Sequence, residues 1–386
     1  MGNRIRKTLF ILLILACANA TAQVPDAYKT RYAALEGKSG ASLFSALESI
    51  AAYGHSSLSY DGLYNAFLQT DADNSGYLLD MYSTCRFTLS DKCGSYSNVC
   101  DCFNREHSLP KSWWGGSKNS AYTDLFHLVP TDGKVNNQRG NAPFGECANG
   151  GSLGGHALGK LGSSTFSGYT NVGSVFEPDN QYKGDFARGY FAMIVRYGTS
   201  IDLTKSNGST MFSNTNKNIN ASNHFGLTNY SVALLMKWHR MDTVSAKEVK
   251  RNTGIQATQG NRNPFIDCPI LAEYLWGNKA GQAVSLSDLQ ACGCVDNDGG
   301  TALEEVIATT ADEVSRLAPV SAMSVPEGIF LTCLPQGVHV LLFDAQGMLL
   351  TQEKTTSPEL TLPVRSGFYL VVLSIGNETR AIKIKR

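Results

Sequence analysis

The 386-residue chain carries no net charge, with 33 Lys and Arg set against 33 Asp and Glu. It has no Gly-X-Y or heptad period, and its hydrophobic content of 42% is too high for a disordered chain, which excludes fibrous, coiled-coil and disordered classes. Beyond the N-terminus no stretch approaches the roughly 20 apolar residues that cross a bilayer. No transmembrane segment is therefore expected in the mature protein. The pairs Cys100-Asp-Cys102 and Cys292-Gly-Cys294 are spaced more tightly than the usual cysteine ligands of structural zinc, which argues against that metal. The length suggests two or three folding units of roughly 100–200 residues each.

What is present is unevenly distributed. Residues 86–280 hold 20 bases against 14 acids, whereas residues 281–386 hold 7 against 12. The basic part is the part suited to a polyanion, whose bound counterions are released on neutralisation. The chain begins MGNRIRKTLFILLILACANATAQVPD, with Arg4, Arg6 and Lys7 ahead of an apolar run from Leu9 to Ala16 and small residues near Ala20 and Gln23. This is the pattern of a secretory signal over residues 1–23. A competing reading makes Cys17 a lipidated residue. The expectation is a secreted protein, extracellular or at the cell surface. In an exported chain the nine remaining cysteines, Cys85, Cys93, Cys100, Cys102, Cys147, Cys268, Cys292, Cys294 and Cys333, read as disulfides with at least one thiol over. Their connectivity stays open.

Residues 41–50 place Leu43, Phe44, Leu47 and Ile50 on one helical face, and Tyr230, Ala233, Leu234, Trp238 and Met241 recur at helical spacing. Ser245-Ala-Lys-Glu248 reads as a capping box, and a short helix is expected from Pro269 to Trp276. Residues 85–226, rich in Gly, Asn and Ser, predict short strands and long loops. Residues 283–325 read as a linker with at most one helical segment, because they lack aromatics and run through small and acidic residues. After it Val338–Phe343, 348–351, 367–373 and 379–385 alternate like hairpin-linked strands, predicting a small β-sandwich over 326–386.

The chemistry concentrates in Asn104-Arg-Glu-His-Ser-Leu-Pro-Lys-Ser-Trp-Trp-Gly115 and in the segment from Asp124 to Asn141. Phosphodiester hydrolysis needs an activated water, a cation on the phosphate oxygens and positive charge for the transition state. Glu106 and Asn136 offer the hard oxygens that Mg²⁺ prefers. His107 is the general-base candidate, since an ordinary imidazole is largely neutral at pH 7. Asp71-Ala-Asp73-Asn-Ser75-Gly76 begins like a Ca²⁺ loop but has Tyr82 where a bidentate Glu belongs. Trp113 and Trp114 read as packing residues in preference to base-stacking ones.

Five blocks in order resemble the secreted endonuclease I family of ββα-metal nucleases: NREHSLPKSWWGG, DLFHLVPTDGKVNNQRGNAPFGE, KGDFARGYF, LLMKWHRMDTVSAKEVKRN and TQGNRNPFIDCPILAEYLWG. The resemblance implies an α+β fold over residues 24–282, built of helices and short strands. It implies His107 as general base, and Glu106 with Asn136 as ligands of a single Mg²⁺, with Ca²⁺ or Mn²⁺ as substitutes. It also implies cleavage of DNA, and in many relatives RNA, with little sequence preference and 5′-phosphate ends. The first strand is expected to carry Glu106 and His107, the Gly-rich stretch to form the second strand and loop, and the helix to carry Asn136.

Two departures stand out. Where relatives have an arginine after a Gly-containing turn, Gly115-Gly116 is followed by Ser117-Lys118, leaving Lys118, Lys111 and Arg139 as candidates for the phosphate. Phe126 stands where relatives often have a first histidine, and His127 matches the second. Arg188 is expected either on substrate phosphate or paired with Asp185. Residues 261–265 are expected to buttress the site as a rigid turn. The alternative reading is a catalytically inactive nucleic-acid-binding surface protein. The C-terminal unit resembles a type IX secretion sorting domain, implying that machinery as a partner, with a carbohydrate-binding or structural sandwich as the rival. A monomer is expected.

Overall fold

The computed structural model describes residues 24–148, 151–217, 219–296 and most of 317–386, except 318–319, 326, 333, 345–348, 356 and 376–377. The expected secretory signal over residues 1–23 and about half of the expected linker lie outside the described residues. The chain divides into two compact units, residues 1–300 and 301–386.

The first unit opens with α1 (Asp26–Ala33), α2 (Gly40–Ala52) and α3 (Gly62–Thr70), and then forms β1 (Phe103–His107), β2 (Leu128–Asp132) and α4 (Gly133–Arg139). A small antiparallel sheet follows, β3 (Gly151–Ser152), β4 (Lys160–Ser163) and β5 (Ser174–Glu177), in the order β3-β4-β5. The remainder is helical: α5 (Lys183–Tyr197), α6 (Asn229–Met241), α7 (Ala246–Gln259), α8 (Pro264–Asp267), α9 (Ile270–Trp276) and α10 (Leu286–Ala291).

The expected helices at α2, α6 and α9 are present, and Ser245 and Glu248 cap α7 reciprocally. Met241, at the end of α6, is exposed. The central helix of the unit is α5, inside the segment expected to be strands and loops. Its sequence KGDFARGYFAMIVRY is buried on nearly every side, against α2 and α6. Its charged Lys183 and Arg188 are buried together with its apolar residues, so burial does not follow the polar pattern of the sequence.

The unit also extends beyond residue 282. Cys294 pairs with Cys268, and Leu289 of α10 is fully buried. Two further disulfides, Cys85–Cys100 and Cys93–Cys102, lie just ahead of β1. The calcium-like loop is a closed turn, since Asp73 Oδ1 accepts from the amides of Ser75 (2.8 Å) and Tyr77 (3.0 Å) while Oδ2 pairs with Arg86 (3.3 Å).

The second unit is all-β. It contains β6 (Ser321–Val325), β7 (Gly328–Thr332), β8 (Val338–Asp344), β9 (Leu349–Thr355), β10 (Glu359–Leu362), β11 (Phe368–Ile375) and β12 (Glu378–Lys385). Two antiparallel sheets, ordered β10-β7-β6 and β12-β11-β8-β9, enclose a core of Ile329, Leu331, Leu362, Val340, Leu342, Val371 and Leu373. This is the expected sandwich, although it begins at β6, within the segment read as linker. No helix among the described residues is long and apolar enough to cross a membrane.

Candidate active site

The site is built on β1, β2 and α4. The two strands pair antiparallel from Phe103 opposite Asp132 to His107 opposite Leu128. The second strand is thus LVPTD, and the glycines Gly115 and Gly116 form a turn with positive φ of 82° and 75° in the intervening loop. Asp132 ends β2 and starts α4, its Oδ1 accepting the amides of Lys134 (2.8 Å) and Val135 (2.9 Å) as an N-cap. Its Oδ2 accepts the Cys100 amide at 2.6 Å, and Asp80 Oδ2 accepts the Asp132 amide at 2.9 Å. Burial pushes the Asp80 carboxyl up to about 7, against the hydrogen bonds from Ser83, Tyr82 and Asp132. Gly133 donates to Cys102 O at 2.9 Å, and a Cβ there would overlap Cys93 Sγ. The strand–helix junction therefore requires glycine, and the Cys93–Cys102 bridge packs directly upon it.

Glu106 and His107 are adjacent in a strand, and adjacent strand residues face opposite sides. Glu106 turns inward: its Oε1 accepts Tyr82 Oη at 3.0 Å and Arg139 Nη1 at salt-bridge distance. Arg139 is itself buried, with Nη2 on Ser108 O (2.7 Å) and its guanidinium 4.6 Å from the Phe144 ring centre. Glu106 Oε2 makes no hydrogen bond among the described residues. Asn136 is half-buried on α4, one turn before Arg139 and hence on the same helix face, and its side-chain amide makes no hydrogen bond among the described residues.

His107 turns to an aromatic enclosure of Tyr122 (5.0 Å between ring centres), His127 (5.5 Å), Tyr60 and Trp114 (both 6.1 Å). Its Nε2 lies 3.0 Å from Tyr122 O. A carbonyl only accepts, so Nε2 carries the hydrogen and the lone pair is on Nδ1. Burial first, then the neighbouring His127, hold the imidazole well below its ordinary 6.5. His127 is fully buried, Nε2 on Ala121 O at 2.8 Å, lowered to about 4 by burial. Its Nδ1 is buried without a partner, whereas His107 Nδ1 keeps contact with solvent.

The expected substrate contacts divide into two groups. Lys111 and Lys118 are exposed, beside the Gly115-Gly116 turn. Arg139 and Arg188 are interior residues already committed to carboxylates, which corrects their assignment to phosphate. Arg188 pairs with Glu248 through Nε (2.6 Å) and Nη2 (2.8 Å), and its Nη1 donates to Asp242 O (2.8 Å). Asp185, its other expected partner, pairs with Lys247 instead. A cation that sequence reasoning did not reach is Lys205. Its amide donates to Trp113 O at 3.0 Å, and its exposed Nζ is 3.2 Å from where a Gly115 Cβ would stand. A contact between segments so distant in sequence leaves no local signal.

The turn at residues 261–265 packs behind this platform. Asn263 Nδ2 donates to Arg188 O at 3.1 Å, and Gln259 next to the turn holds Asp124 (2.9 Å) and the Leu125 amide (2.9 Å) in the loop leading to β2. Trp113 and Trp114 are buried, as packing residues.

Among the described residues no three His, Cys, Asp or Glu side chains gather into a metal cluster. The donor set that does fit a hard divalent cation is smaller: a carboxylate oxygen of Glu106 left unbonded by protein and the amide oxygen of Asn136, with water completing the shell.

A family model described as Endonuclease I matches residues 39–270. The chain is 35% identical over 252 residues to an extracellular ribonuclease of Bacillus amyloliquefaciens, covering 64% of this chain and 78% of that one. It is also 35% identical over 270 residues to an extracellular ribonuclease of Bacillus subtilis (strain 168), covering 69% and 83% respectively. A chain from a structural study of PorZ, a surface component of the type-IX secretion system of Porphyromonas gingivalis, aligns at TM-score 0.18 and 22% identity. That alignment covers 20% of this chain and 12% of the other.

Proposed function

Because this chain belongs to the Endonuclease I family and is thereby a nuclease, a phosphodiester hydrolase, we propose that it is a secreted, metal-dependent, non-specific endonuclease with His107 as general base. The observation that carries this reading is the protonation geometry of His107. Tyr122 O fixes the ring through Nε2–H, and the lone pair on Nδ1 is left to take a proton from the attacking water. The lowered basicity keeps the ring neutral at pH 7, ready to accept. Once protonated, the imidazolium keeps its Nε2–H on the same carbonyl.

Glu106 and Asn136 would hold one Mg²⁺, with Ca²⁺ or Mn²⁺ as substitutes. When bound, it supplies positive charge to the phosphate and leaving oxygens. Tyr82 and Arg139 occupy Oε1 of Glu106 and so fix its carboxylate plane. Lys111, Lys118 and Lys205 give the surface its attraction for the polyanion. DNA is the proposed substrate, with RNA beside it because both Bacillus relatives are named ribonucleases. The products would carry 5′-phosphate ends, and the same relatives' extracellular naming supports export. The C-terminal sandwich is proposed, on its sequence pattern, as the segment read by type IX secretion machinery.

The test is nicking of supercoiled plasmid and of a long RNA by the purified chain. Cleavage that requires a divalent cation and stops with EDTA supports the reading. Folded protein that binds plasmid but never nicks it, under any of Mg²⁺, Ca²⁺ and Mn²⁺, makes the chain an inactive binder.

A further inference from the structure

Next to His107 lies a cleft that the catalytic reading does not use. Two segments face each other across about 410 Å³: the loop before α3, with Ser57 and Tyr60, and the segment leading into and through the 3-10 turn Ser120–Thr123, with Lys118, Asn119 and Tyr122. That volume is within the range of small-molecule sites. Its lining contains no acid, one exposed lysine, two aromatic rings and several small polar groups.

Both rings are held in place. Arg105 lies 3.6 Å from the Tyr60 ring centre and donates to Tyr60 O (2.8 Å) and Asp61 (3.0 Å). The Tyr122 ring is largely buried, 5.0 Å from the His107 ring, and lies 4.9 Å from the Tyr60 ring. The further sign of a ligand is Asn119. Its Oδ1 is buried and has no hydrogen-bond partner, and the side chain does not cap the 3-10 turn that it precedes. Buried acceptors are nearly always satisfied, so one left unpaired in a residue that lines the cleft marks where a small turn of the side chain would meet an N–H or O–H brought by a ligand.

We propose that this cleft receives the nucleotide adjoining the scissile phosphodiester. Its planar base packs on the part-exposed Tyr60, backed by the buried Tyr122, a base N–H or sugar O–H meets Asn119 Oδ1, and its outer phosphate lies at Lys118. The proposal rests on the nuclease reading and gives it a substrate feature: the enzyme grips a base lifted from its neighbours. Since the same tyrosines enclose His107, binding there also seats the base that takes the proton.

The experiment uses the full chain and a single-stranded oligonucleotide with one abasic residue, cleaved in the divalent cation that supports nicking, with every product mapped. Wild type should cut one bond flanking the abasic residue about fivefold or more slower than its other bonds, by the lower end of base–aromatic stacking. Tyr60→Leu should even out that ratio, since damage to the fold would slow all bonds alike. Asn119→Ala, which removes no hydrogen bond, should keep the melting temperature and raise KM severalfold on intact oligonucleotide. Equal cutting at all bonds by wild type, or an unchanged ratio in Tyr60→Leu, overturns the cleft while leaving the nuclease standing. An unchanged KM in Asn119→Ala removes that contact from it. Absence of all cleavage by wild type overturns both readings together.

Discussion

His107 and His127 are neighbouring imidazoles with different prospects: one presents Nδ1 to solvent, the other buries it. Their adjacency in space was not legible, because the segments are joined only through the β1–β2 pairing. His107 was singled out by the Glu-His pair only together with the five family blocks, since the pair alone carries little weight. A pH profile separates this account from one with an ordinary histidine. His107 must be neutral to act, and its folded pKa is lowered below 6.5. The acid limb of kcat/KM is therefore expected below pH 6.5, with a plateau from about 6.5 to 8; an acid limb at 7 or above contradicts it. Stability carries a related sign. The unfolded chain takes up protons on His107, His127 and His239 below about 6.5 that the folded chain refuses. Asp80, raised to about 7, works oppositely as pH climbs from about 4 to 7. His55 is lowered in the same sense as those imidazoles and Asp242 and Glu248 are raised in Asp80's sense, so stability between pH 6.5 and 4.5 is a balance of four imidazoles and three carboxyls.

The unit that places these groups is β1–β2–α4, and what fixes it is polar. Arg139 was legible as a functional cation only by type. Its geometry makes it the partner that aims Glu106, and the pair is buried on both sides. Removing one member of a buried pair leaves the other charged and unpartnered, at about 3–5 kcal/mol. Arg139→Met should thus lower the unfolding free energy by about that amount in a denaturant titration; a loss below about 1 kcal/mol would show that Glu106 needs no such partner. Lys111→Ala, at an exposed position, should leave stability within about 0.5 kcal/mol. Elements with two-sided character were read correctly from the sequence: α2 shows a stripe and α7 a capping box. α5 escaped because its burial is uniform, and β6, β7 and β10 because strands of four or five residues alternate too briefly to be counted.

At the scale of the molecule, the division into a mixed nuclease unit and a β-sandwich was legible from the change of period, but the place where the first unit ends was not. A disulfide partner cannot be chosen from sequence, and the Cys268–Cys294 bridge closes over a separation of 26 residues. Closing a loop of that size contributes about 3 kcal/mol. A polypeptide of residues 24–296 should therefore melt above one of residues 24–282, which loses the bridge and α10; equal melting temperatures would show that this tail adds nothing. The family was legible from its blocks, since they run across most of the unit, whereas Lys205 and the cleft before α3 needed the folded chain. The central claim is that His107 Nδ1 takes the proton. The measurement that addresses it most directly is plasmid nicking by His107→Ala with added imidazole, since the enclosure of Tyr60, Trp114 and Tyr122 leaves room for a free ring when the side chain is removed. The account predicts a loss of about 10²–10⁴ in rate, partly restored by imidazole in proportion to its neutral form. Undiminished nicking by His107→Ala would contradict it outright.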